Sequence, residues 1–469
     1  MENVSKSHLF FLVWATLLVF IVVLWFFSPR FVLWKGLDIP MAASKNPETD
    51  RASWTLLQLE DPFMSIPDEG NRPIRWRLLF PLLAHYLHFP RILFLMLPHL
   101  GALIAIGMMI HLTMRELNHR ILSIVTAALM TTGSWFFVST GWLTYFDSWY
   151  IIGLLLVSFI KSRRALVLTC LFMPWVDERF IFALPICMTV RAVYFGWIEN
   201  NEVRKLWQDC LICLITLLPY VVLRILAMHF YDAEAVDYMG RRLAHQYNVA
   251  KCISGTWEGI RTAWVFVALF MLLSFRKKKF WWNLLILLVP ICSVIGILPL
   301  SGDYSRSMSM VLPAALLGIW LLFRAGRAYH RHILLGALVL NLLLPAHHVV
   351  GRFTRPIYYF YHEVYRYRTP PDSFTGIAQY RRGTEKEKTG DLEGAIAAYS
   401  EAIRLDPENA TAYAQRGIAK SKLGLWQSAV EDYHKALSMA PPKWEYRPRI
   451  EKRLQEAFDH LPLQNPKDD

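Results

Sequence analysis

The sequence predicts an all-α protein in which a polytopic bundle of transmembrane helices is followed by a small helical-repeat domain. Three observations lead to this prediction. Of the 469 residues, 55% are hydrophobic and 14% aromatic, which exceeds the usual content of soluble domains. Long apolar runs separated by short basic clusters occupy residues 1–350. Two later stretches repeat each other at an offset of 34 residues. We therefore expect a membrane domain over 1–350, a linker over 351–375, two repeats over 376–443 and a capping helix over 444–460.

The first element is an apolar segment near the N-terminus, HLFFLVWATLLVFIVVLWFF at residues 8–27. About 20 apolar residues are enough for a helix to cross the hydrocarbon core of a bilayer. No small-residue cleavage site follows, so we predict an uncleaved first transmembrane helix and not a signal peptide.

Ten further apolar runs predict the remaining crossings, and the basic clusters between them predict their direction. The runs lie at 92–113, 121–138, 145–160, 165–176, 180–197, 210–229, 262–274, 281–300, 308–323 and 333–350. Lys and Arg in short loops stay on the cytoplasmic side, so the clusters at 115–120, 161–164, 276–279 and 324–332 should share one face. With the N-terminus inside, this topology predicts an inner-membrane protein whose C-terminal domain lies outside the cytoplasm. Four arginines within 351–368 favour the opposite orientation for the last helix alone.

Residues 165–197 contain the charged stretch VDERF between two apolar arms. A single crossing would place Asp177, Glu178 and Arg179 near the middle of the bilayer, at a cost of about 2.5–3.5 kcal/mol for each charge. We therefore predict two short arms that meet near the outer face and line a cavity. Asp147 is expected at the outer end of a neighbouring helix and completes the predicted cavity residues. Mutual pairing of these four charged side chains is the alternative.

The longest hydrophilic segment of the membrane half covers residues 28–75, on the outer side in this topology. A loop of this length is more often functional than decorative. Its second half leads into DRASWTLLQLEDPFMSIPDEGNRPIRWRLLFPLLAHYL at residues 50–87. This stretch resembles the first outer loop of GT-C-type polytopic glycosyltransferases, in which an Asp, an aromatic residue, a Pro-containing stretch and an arginine-rich approach to a Leu-Pro helix follow in that order.

The resemblance implies an enzyme that transfers a sugar from a polyprenyl-phosphate donor at the membrane surface. Asp50 would be the catalytic base, and Arg75 with Arg77 would hold the lipid phosphate. The alternative counterparts of the base are Asp38, Asp68 and Glu69. Glycosyl transfer needs a carboxylate that deprotonates the acceptor and cationic groups that neutralise the leaving phosphate. A solvated loop whose arginines contact lipid headgroups is the other interpretation.

The two C-terminal stretches share six identities at the offset of 34 residues. The identical pairs are Gly383 and Gly417, Gly390 and Gly424, Ala395 and Ala429, Tyr399 and Tyr433, Ala402 and Ala436, and Pro407 and Pro441. This period and this pattern of small and large residues resemble the tetratricopeptide repeat (TPR), a helix pair that stacks into arrays with a concave binding face. The resemblance implies a groove for a protein or peptide partner, lined by Tyr380, Thr384, Glu387, Lys388, Ala414, Ile418, Ser421 and Lys422.

The charge distribution and the motifs of the sequence argue against nucleic-acid binding, nucleotide or metal chemistry, and transport. Residues 376–469 carry 15 basic and 15 acidic side chains, so the net charge of +13 lies beside the apolar runs, where we expect contact with lipid headgroups and not with nucleic acid. There is no P-loop, and Cys210 and Cys213 lack a second pair, so no cofactor or metal is expected. Matched inverted halves, which would indicate a transporter, are missing. The two hypotheses that remain are a TPR-bearing glycosyltransferase and a non-catalytic scaffold that recruits envelope proteins.

Overall fold

The computed structural model describes residues 6–30, 47–64, 66, 75–231, 249–275, 279–300, 303–326, 329–350, 353–368, 372–440, 444 and 446–461. The all-α prediction is confirmed, since helices account for nearly all of the regular structure in these residues. The chain forms two compact units. The first contains residues 1–31 and 51–363, and the second contains residues 32–50 and 364–469.

Sixteen helices precede the small sheet of the chain, within the ranges given above. They are α1 (Lys6–Phe26), α2 (Pro47–Leu57), α3 (Leu79–Tyr86), α4 (Arg91–Leu117), α5 (Arg120–Thr131), α6 (Ser134–Gly141), α7 (Asp147–Phe159), α8 (Arg163–Phe172), α9 (Arg179–Tyr194), α10 (Val203–Tyr231), α11 (Val249–Ile260), α12 (Trp264–Leu273), α13 (Phe280–Leu300), α14 (Tyr304–Ser307), α15 (Leu312–Arg324) and α16 (His330–Leu343). Single 3-10 turns at Arg261–Ala263 and Met308–Val311 join α11 to α12 and α14 to α15.

Six helical segments among the described residues are long and apolar enough to cross a membrane. They are Lys6–Phe26, Arg91–Leu117, Val203–Leu226, Val249–Leu273, Phe280–Leu298 and Tyr304–Arg324. The pair α5 and α6 also passes this test, but it is bent by 68°. Helices α7 and α16 are apolar but shorter. These features fit a multi-pass membrane protein, although fewer of the apolar runs form long helices than their number suggested.

Residues 165–197 and 333–350 do not form single straight helices. The apolar runs at 165–176 and 180–197 fold as the separate helices α8 and α9, and the stretch VDERF begins between them and continues into α9. The run over 333–350 is helical only to Leu343, because Pro345 has no backbone N–H to continue the helix. Its last residues form strand β1 (Ala346–Val350), which pairs antiparallel with β2 (Phe353–Ile357). An isolated bridge joins Val350 to Asp303.

The interior of the first unit is organised around α15, which is buried along almost its entire length. Trp320 is fully buried there, with its ring centroid 4.8 Å from that of Phe159. Gly318 faces the backbone of α12 so closely that a Cβ atom would lie 1.9 Å from the carbonyl oxygen of Phe266. The two helices therefore meet backbone to backbone, as glycine allows in membrane proteins.

The second unit contains five antiparallel helices after residue 371: α18 (Asp372–Lys388), α19 (Leu392–Leu405), α20 (Ala410–Lys422), α21 (Trp426–Met439) and α22 (Arg447–Asp459). Helix α17 (Phe360–Arg368) precedes them. In the two repeats, Gly383 and Gly417 lie under the rings of Tyr399 and Tyr433, where a Cβ atom would approach within 2.6–2.7 Å. Helix α22 packs on α21 through Ile450.

Tight turns connect the two helices of each repeat. Gly390 and Gly424 adopt φ values of +84° and +77°, which glycine accepts without steric cost. The following helix α19 is capped by Asp391, whose Oδ1 accepts a hydrogen bond from the backbone of Gly394 at 2.9 Å. The recurrence of glycine in the sequence therefore has two separate causes, which are helix contact at one position and backbone conformation at the other.

Candidate functional site: a buried arginine–carboxylate cluster

A cluster of charged side chains lies inside the first unit, where several helices begin. Asp147 is the first residue of α7, and Asp177 and Glu178 precede α9, which begins at Arg179. Arg306 comes from the short helix α14. Each of these side chains except Glu178 is almost fully buried. A polar group at such a position must be satisfied by other protein groups, because burial without a partner costs several kcal/mol.

The centre of the cluster is the carboxylate of Asp147. Arg306 binds it through Nη2–Oδ2 at 2.7 Å and through Nε–Oδ1 at 3.0 Å. The Nη2 of Arg179 donates to its Oδ1 at 2.6 Å. Two guanidinium groups from different helices therefore share one carboxylate. Their contacts fix the relative positions of α7, α9 and α14.

A second carboxylate, Asp177, joins this centre to the loop before α3. Its Oδ2 accepts from Nη2 of Arg179 at 2.5 Å and lies 3.2 Å from Nη1 of Arg77. Burial alone would raise the pKa of Asp177, but Arg179 and Arg77 lower this pKa well below its usual range. Asp177 is therefore ionised at neutral pH.

Glu178 is the carboxylate of the cluster that reaches the surface, with 37% of its side chain exposed. Arg77 binds it in the bidentate manner, through Nε–Oε2 at 3.0 Å and Nη2–Oε1 at 2.8 Å. Burial opposes the charge of Arg77, yet Asp177 and Glu178 raise the pKa of this guanidinium above its ordinary value. The positive charge of Arg77 is thus already compensated by two protein carboxylates.

Strand β1 closes the cluster on another side with His348. Its Nδ1 lies 2.9 Å from Oγ of Ser305, and its Nε2 lies 3.5 Å from Oδ2 of Asp303, which also binds Arg306. The imidazole is 2% exposed. Burial lowers the pKa of His348 to about 4, and Asp303 opposes this shift only in part. His348 is therefore neutral at physiological pH.

Tyr145 carries two guanidinium groups on its ring. The Cζ atom of Arg306 lies 4.4 Å from the ring centroid, and that of Arg51 lies 3.7 Å from it. Arg51 is only 8% exposed. Burial is the main reason why the pKa of Arg51 falls to about 10, and the positive charges of Arg77 and Arg306 lower it further. At neutral pH Arg51 nevertheless keeps its charge.

The structure brings the four predicted cavity residues together. Arg179 contacts both Asp147 and Asp177, and Arg77 connects Glu178 to Asp177. Their charges pair with one another and with Arg306, which is the arrangement proposed as the alternative to an open cavity.

Of the residues predicted from the glycosyltransferase resemblance, the structure describes the side chains of Arg75 and Arg77. Arg75 donates through Nη2 to the carbonyl oxygen of Phe63 at 2.9 Å and stacks on Trp76, whereas Arg77 belongs to the cluster. Asp50 lies in α2, but its side chain is outside the described residues. The alternatives Asp38, Asp68 and Glu69 are also outside them.

Several members of the cluster were not identified from the sequence, namely Arg51, Tyr145, Asp303, Arg306 and His348. Asp303 and Arg306 do carry a signal, because they stand together at the start of an apolar helix, where ionisable residues are functional candidates. Arg51 and Tyr145 carry no such signal. Their proximity depends on the tertiary structure alone.

The predicted groove residues of the second unit divide into buried and accessible ones. Tyr380, Ala414 and Ile418 are buried between helices, whereas Lys388 is exposed. Lys422 forms an ion pair with Glu387 at 2.8 Å, and the hydroxyl of Tyr399 donates to the same carboxylate at 2.9 Å. The accessible part of this surface is therefore polar.

Among the residues described, no group of three His, Cys, Asp or Glu side chains is placed to hold a metal ion. A family model described as TPR repeat matches residues 388–424, from the end of α18 to the turn after α20. This match confirms the repeat recognised in the sequence. No curated protein and no solved structure matches the chain.

Proposed function

We propose that this protein is a multi-pass membrane protein that binds a protein or peptide partner through the concave face of its TPR domain. The observation that carries the proposal is the match of the repeat model to residues 388–424, together with the stacked helix pairs of the second unit. Arrays of this kind present an extended concave surface that serves as a binding face.

Polar and charged groups on α18 and α20 support a partner that is recognised mainly by hydrogen bonds and ion pairs. Lys388 is exposed, and the side chain of Lys422 is 50% exposed although it is paired with Glu387. The hydroxyl of Ser421 lies 2.9 Å from that of Tyr433, which holds it at the surface of the array. An incoming acidic side chain could bind the two lysines, because rim charges of this kind steer association.

Site-specific photocrosslinking in cells tests the proposal. A photoreactive amino acid replaces Lys388 or Ser421 on the concave face, or Lys435 on the outer helix α21 as the matched control. We expect one discrete crosslinked species from the two concave positions and none from Lys435. The double variant K388E/K422E should abolish this species, whereas K435E should preserve it. The same product from all three positions, or its persistence in K388E/K422E, would contradict the proposal.

The first unit, which contains the candidate membrane helices and is called the membrane unit below, is compatible with two more specific forms of this function. In the first, the unit is a glycosyltransferase that uses a polyprenyl-phosphate sugar, with Asp50 as base and Arg75 and Arg77 at the lipid phosphate; the resemblance of residues 50–87 supports it. Because Arg77 is engaged by Glu178 and Asp177, Arg75 is the better phosphate ligand of the two. In the second refinement, the unit is a non-catalytic scaffold that displays the repeats to envelope proteins.

One comparison separates the two refinements. Envelope glycans and co-purified proteins are measured for D50N and for K388E/K422E. Loss of a glycan in D50N with partners retained supports the enzyme. Unchanged glycans in both variants, with partners lost in K388E/K422E, support the scaffold and refute the enzyme.

The location in the inner membrane and the position of the repeats outside the cytoplasm are part of the same proposal, and the distribution of basic loops supports them. A single cysteine at Lys435, in a chain without native cysteines, tests the orientation. Labelling of intact cells by an impermeant maleimide is expected. Labelling only after the cells are opened would place the repeats in the cytoplasm.

A further inference from the structure

Arg51 differs from the other arginines of the buried cluster because it forms no ion pair within the part of the chain that the structure describes. Arg77, Arg179 and Arg306 each bind at least one carboxylate at 3.2 Å or less. Arg51 forms no ion pair with any carboxylate in the described part of the chain, and its Nε is buried without a hydrogen-bond partner. The ring centroid of Tyr145 lies 3.7 Å from its Cζ atom.

An unpaired buried cation is costly, so its retention needs an explanation. Removing a charge from water costs several kcal/mol unless an opposite charge and hydrogen bonds replace the lost hydration. Stacking on an aromatic ring returns about 0.5–2 kcal/mol, which is less than that cost. The position of Arg51 is also unfavourable for a cation, because Arg77 and Arg306 are close enough to repel it. Asp147 offsets part of the charge of Arg51, but this carboxylate is already bound by Arg179 and Arg306, so Arg51 has no counterion of its own among the described residues.

The geometry around Arg51 suits an anion that enters from outside the protein. The Cζ atom of Arg51 lies 3.7 Å from the ring centroid of Tyr145, and that of Arg306 lies 4.4 Å from the same centroid, so two cationic groups lie beside one ring. The Tyr145 side chain is only partly buried, which leaves an approach to the site. A planar guanidinium with unused N–H groups binds phosphate in a bidentate manner.

We propose that Arg51, which lies over the ring of Tyr145, forms a binding site for a phosphate group. Phosphate is favoured over other anions because the unit contains six candidate membrane helices, and lipid headgroups surround such a unit at high local concentration. The same chemistry would accept the phosphate of a soluble metabolite. The site is independent of the TPR domain and of the partner proposed above.

Binding experiments on the full chain in a nonionic detergent free of phosphate test the site. The probes are inorganic phosphate, dihexanoylphosphatidic acid and, as a phosphate-free control with the same acyl chains, dihexanoylglycerol. The affinity and the unfolding midpoint are measured for the wild-type protein, R51Q and R51K. The matched control is R91Q, which removes a cation from the exposed pair of Arg91 and Glu60 without touching the cluster.

We expect saturable binding of a phosphate probe to the wild-type protein and to R91Q, with an increase of the unfolding midpoint. R51Q should bind at least about tenfold more weakly, since a charge-assisted hydrogen bond is lost, and R51K should be intermediate because it keeps the charge but not the fork. Competition by inorganic phosphate at concentrations comparable to those of phosphatidic acid would assign a soluble phosphate. Binding of phosphatidic acid without such competition would assign a lipid headgroup.

Equal affinity of R51Q and the wild-type protein would overturn the proposal, and so would an equal response to dihexanoylglycerol or an equal loss in R91Q. The unfolding midpoints measured without any probe reveal a folding defect separately from a binding defect.

The variant R51M serves this purpose. Without phosphate, removal of an unpaired buried cation should leave the unfolding midpoint unchanged or raise it. A marked decrease of the R51M midpoint would show that Arg51 stabilises the fold directly, contrary to the proposal.

Discussion

Arg306 binds the carboxylate of Asp147 through two nitrogens, although 159 residues separate them in the sequence. The contact joins α14 to the start of α7 inside the membrane unit. Arg179 binds the same carboxylate, so that the three side chains form a continuous network with Asp177. An intact buried ion pair of this kind gives little net stabilisation. Removing one partner is nevertheless strongly destabilising, because it leaves an uncompensated charge in the interior.

Replacing Asp147 with Asn should destabilise the membrane unit by about 3–5 kcal/mol, because Arg179 and Arg306 would keep their charges without this counterion. Chemical unfolding in detergent measures the change. E60Q is the control, since it disrupts an exposed pair with Arg91 and should change stability by less than about 1 kcal/mol. Similar effects of the two substitutions would show that the buried network is not specifically stabilising.

The stability of the protein should fall as the pH decreases from about 6.5 to 4, with His348 as the cause. The pKa of His348 is about 4 in the folded protein and near 6.5 when unfolded, so the unfolded chain binds more protons in this range. The expected loss is about 3 kcal/mol, at about 1.4 kcal/mol for each pH unit. The stabilising contribution of the neutral His348 side chain is complete above about pH 6.5 and is lost below about pH 4.

The measurement is the unfolding free energy as a function of pH for the wild-type protein, H348Q and H332Q. His332 is exposed, so H332Q should keep the wild-type slope, whereas H348Q should show a flatter curve between pH 4 and 6.5. Carboxylates such as Asp177 lose their contribution only below about pH 4, since their pKa is lowered in the folded state. An unchanged slope in H348Q would refute the assignment.

Replacing Gly318 with Leu should prevent the normal packing of α12 against α15. A Cβ atom at this position would lie 1.9 Å from the carbonyl oxygen of Phe266, and backbone cannot move aside as a side chain can. We expect a loss of more than about 3 kcal/mol. Gly336 in α16 has no atom within 4 Å of the corresponding position, so G336L is the matched control. Monodispersity and unfolding midpoints in detergent distinguish the variants.

In the second unit, G417A should loosen the contact between α20 and α21 by about 1–3 kcal/mol, because the new methyl group would lie 2.7 Å from the ring of Tyr433. Hydrogen exchange of the full chain should be faster in α20 and α21 and unchanged in the first unit. K435A, on the exposed side of α21, should leave the exchange unaltered. Protection equal to that of the wild-type protein in G417A would contradict this account of the repeated glycine.

The sequence predicted most of the elements whose signals are local. The apolar segment of α1 and the paired glycines and tyrosines of the repeats are periodic patterns that need no long-range information. The break between α8 and α9 also has a local signal, because Asp177, Glu178 and Arg179 interrupt the apolar sequence there.

Features that depend on distant contacts were missed. Arg51 and Arg306 meet on Tyr145 from separate parts of the chain, and no spacing rule links these positions. The strand β1 was assigned to an apolar helix, since a short run of Ala, His and Val has the same composition in either structure. The bend between α5 and α6 lies at Gly133. A Cβ atom at this position would approach the carbonyl oxygen of Gly259 at 3.0 Å, and the local sequence does not reveal this contact.

The distribution of the cluster along the chain also sets an order of events during synthesis. Asp147 leaves the ribosome first, and its partner Arg179 follows 32 residues later. Arg306 is made 159 residues after Asp147, so the carboxylate of Asp147 lacks this partner until then. A chain that ends before residue 306 would therefore lack the contacts that Arg306 makes with Asp147.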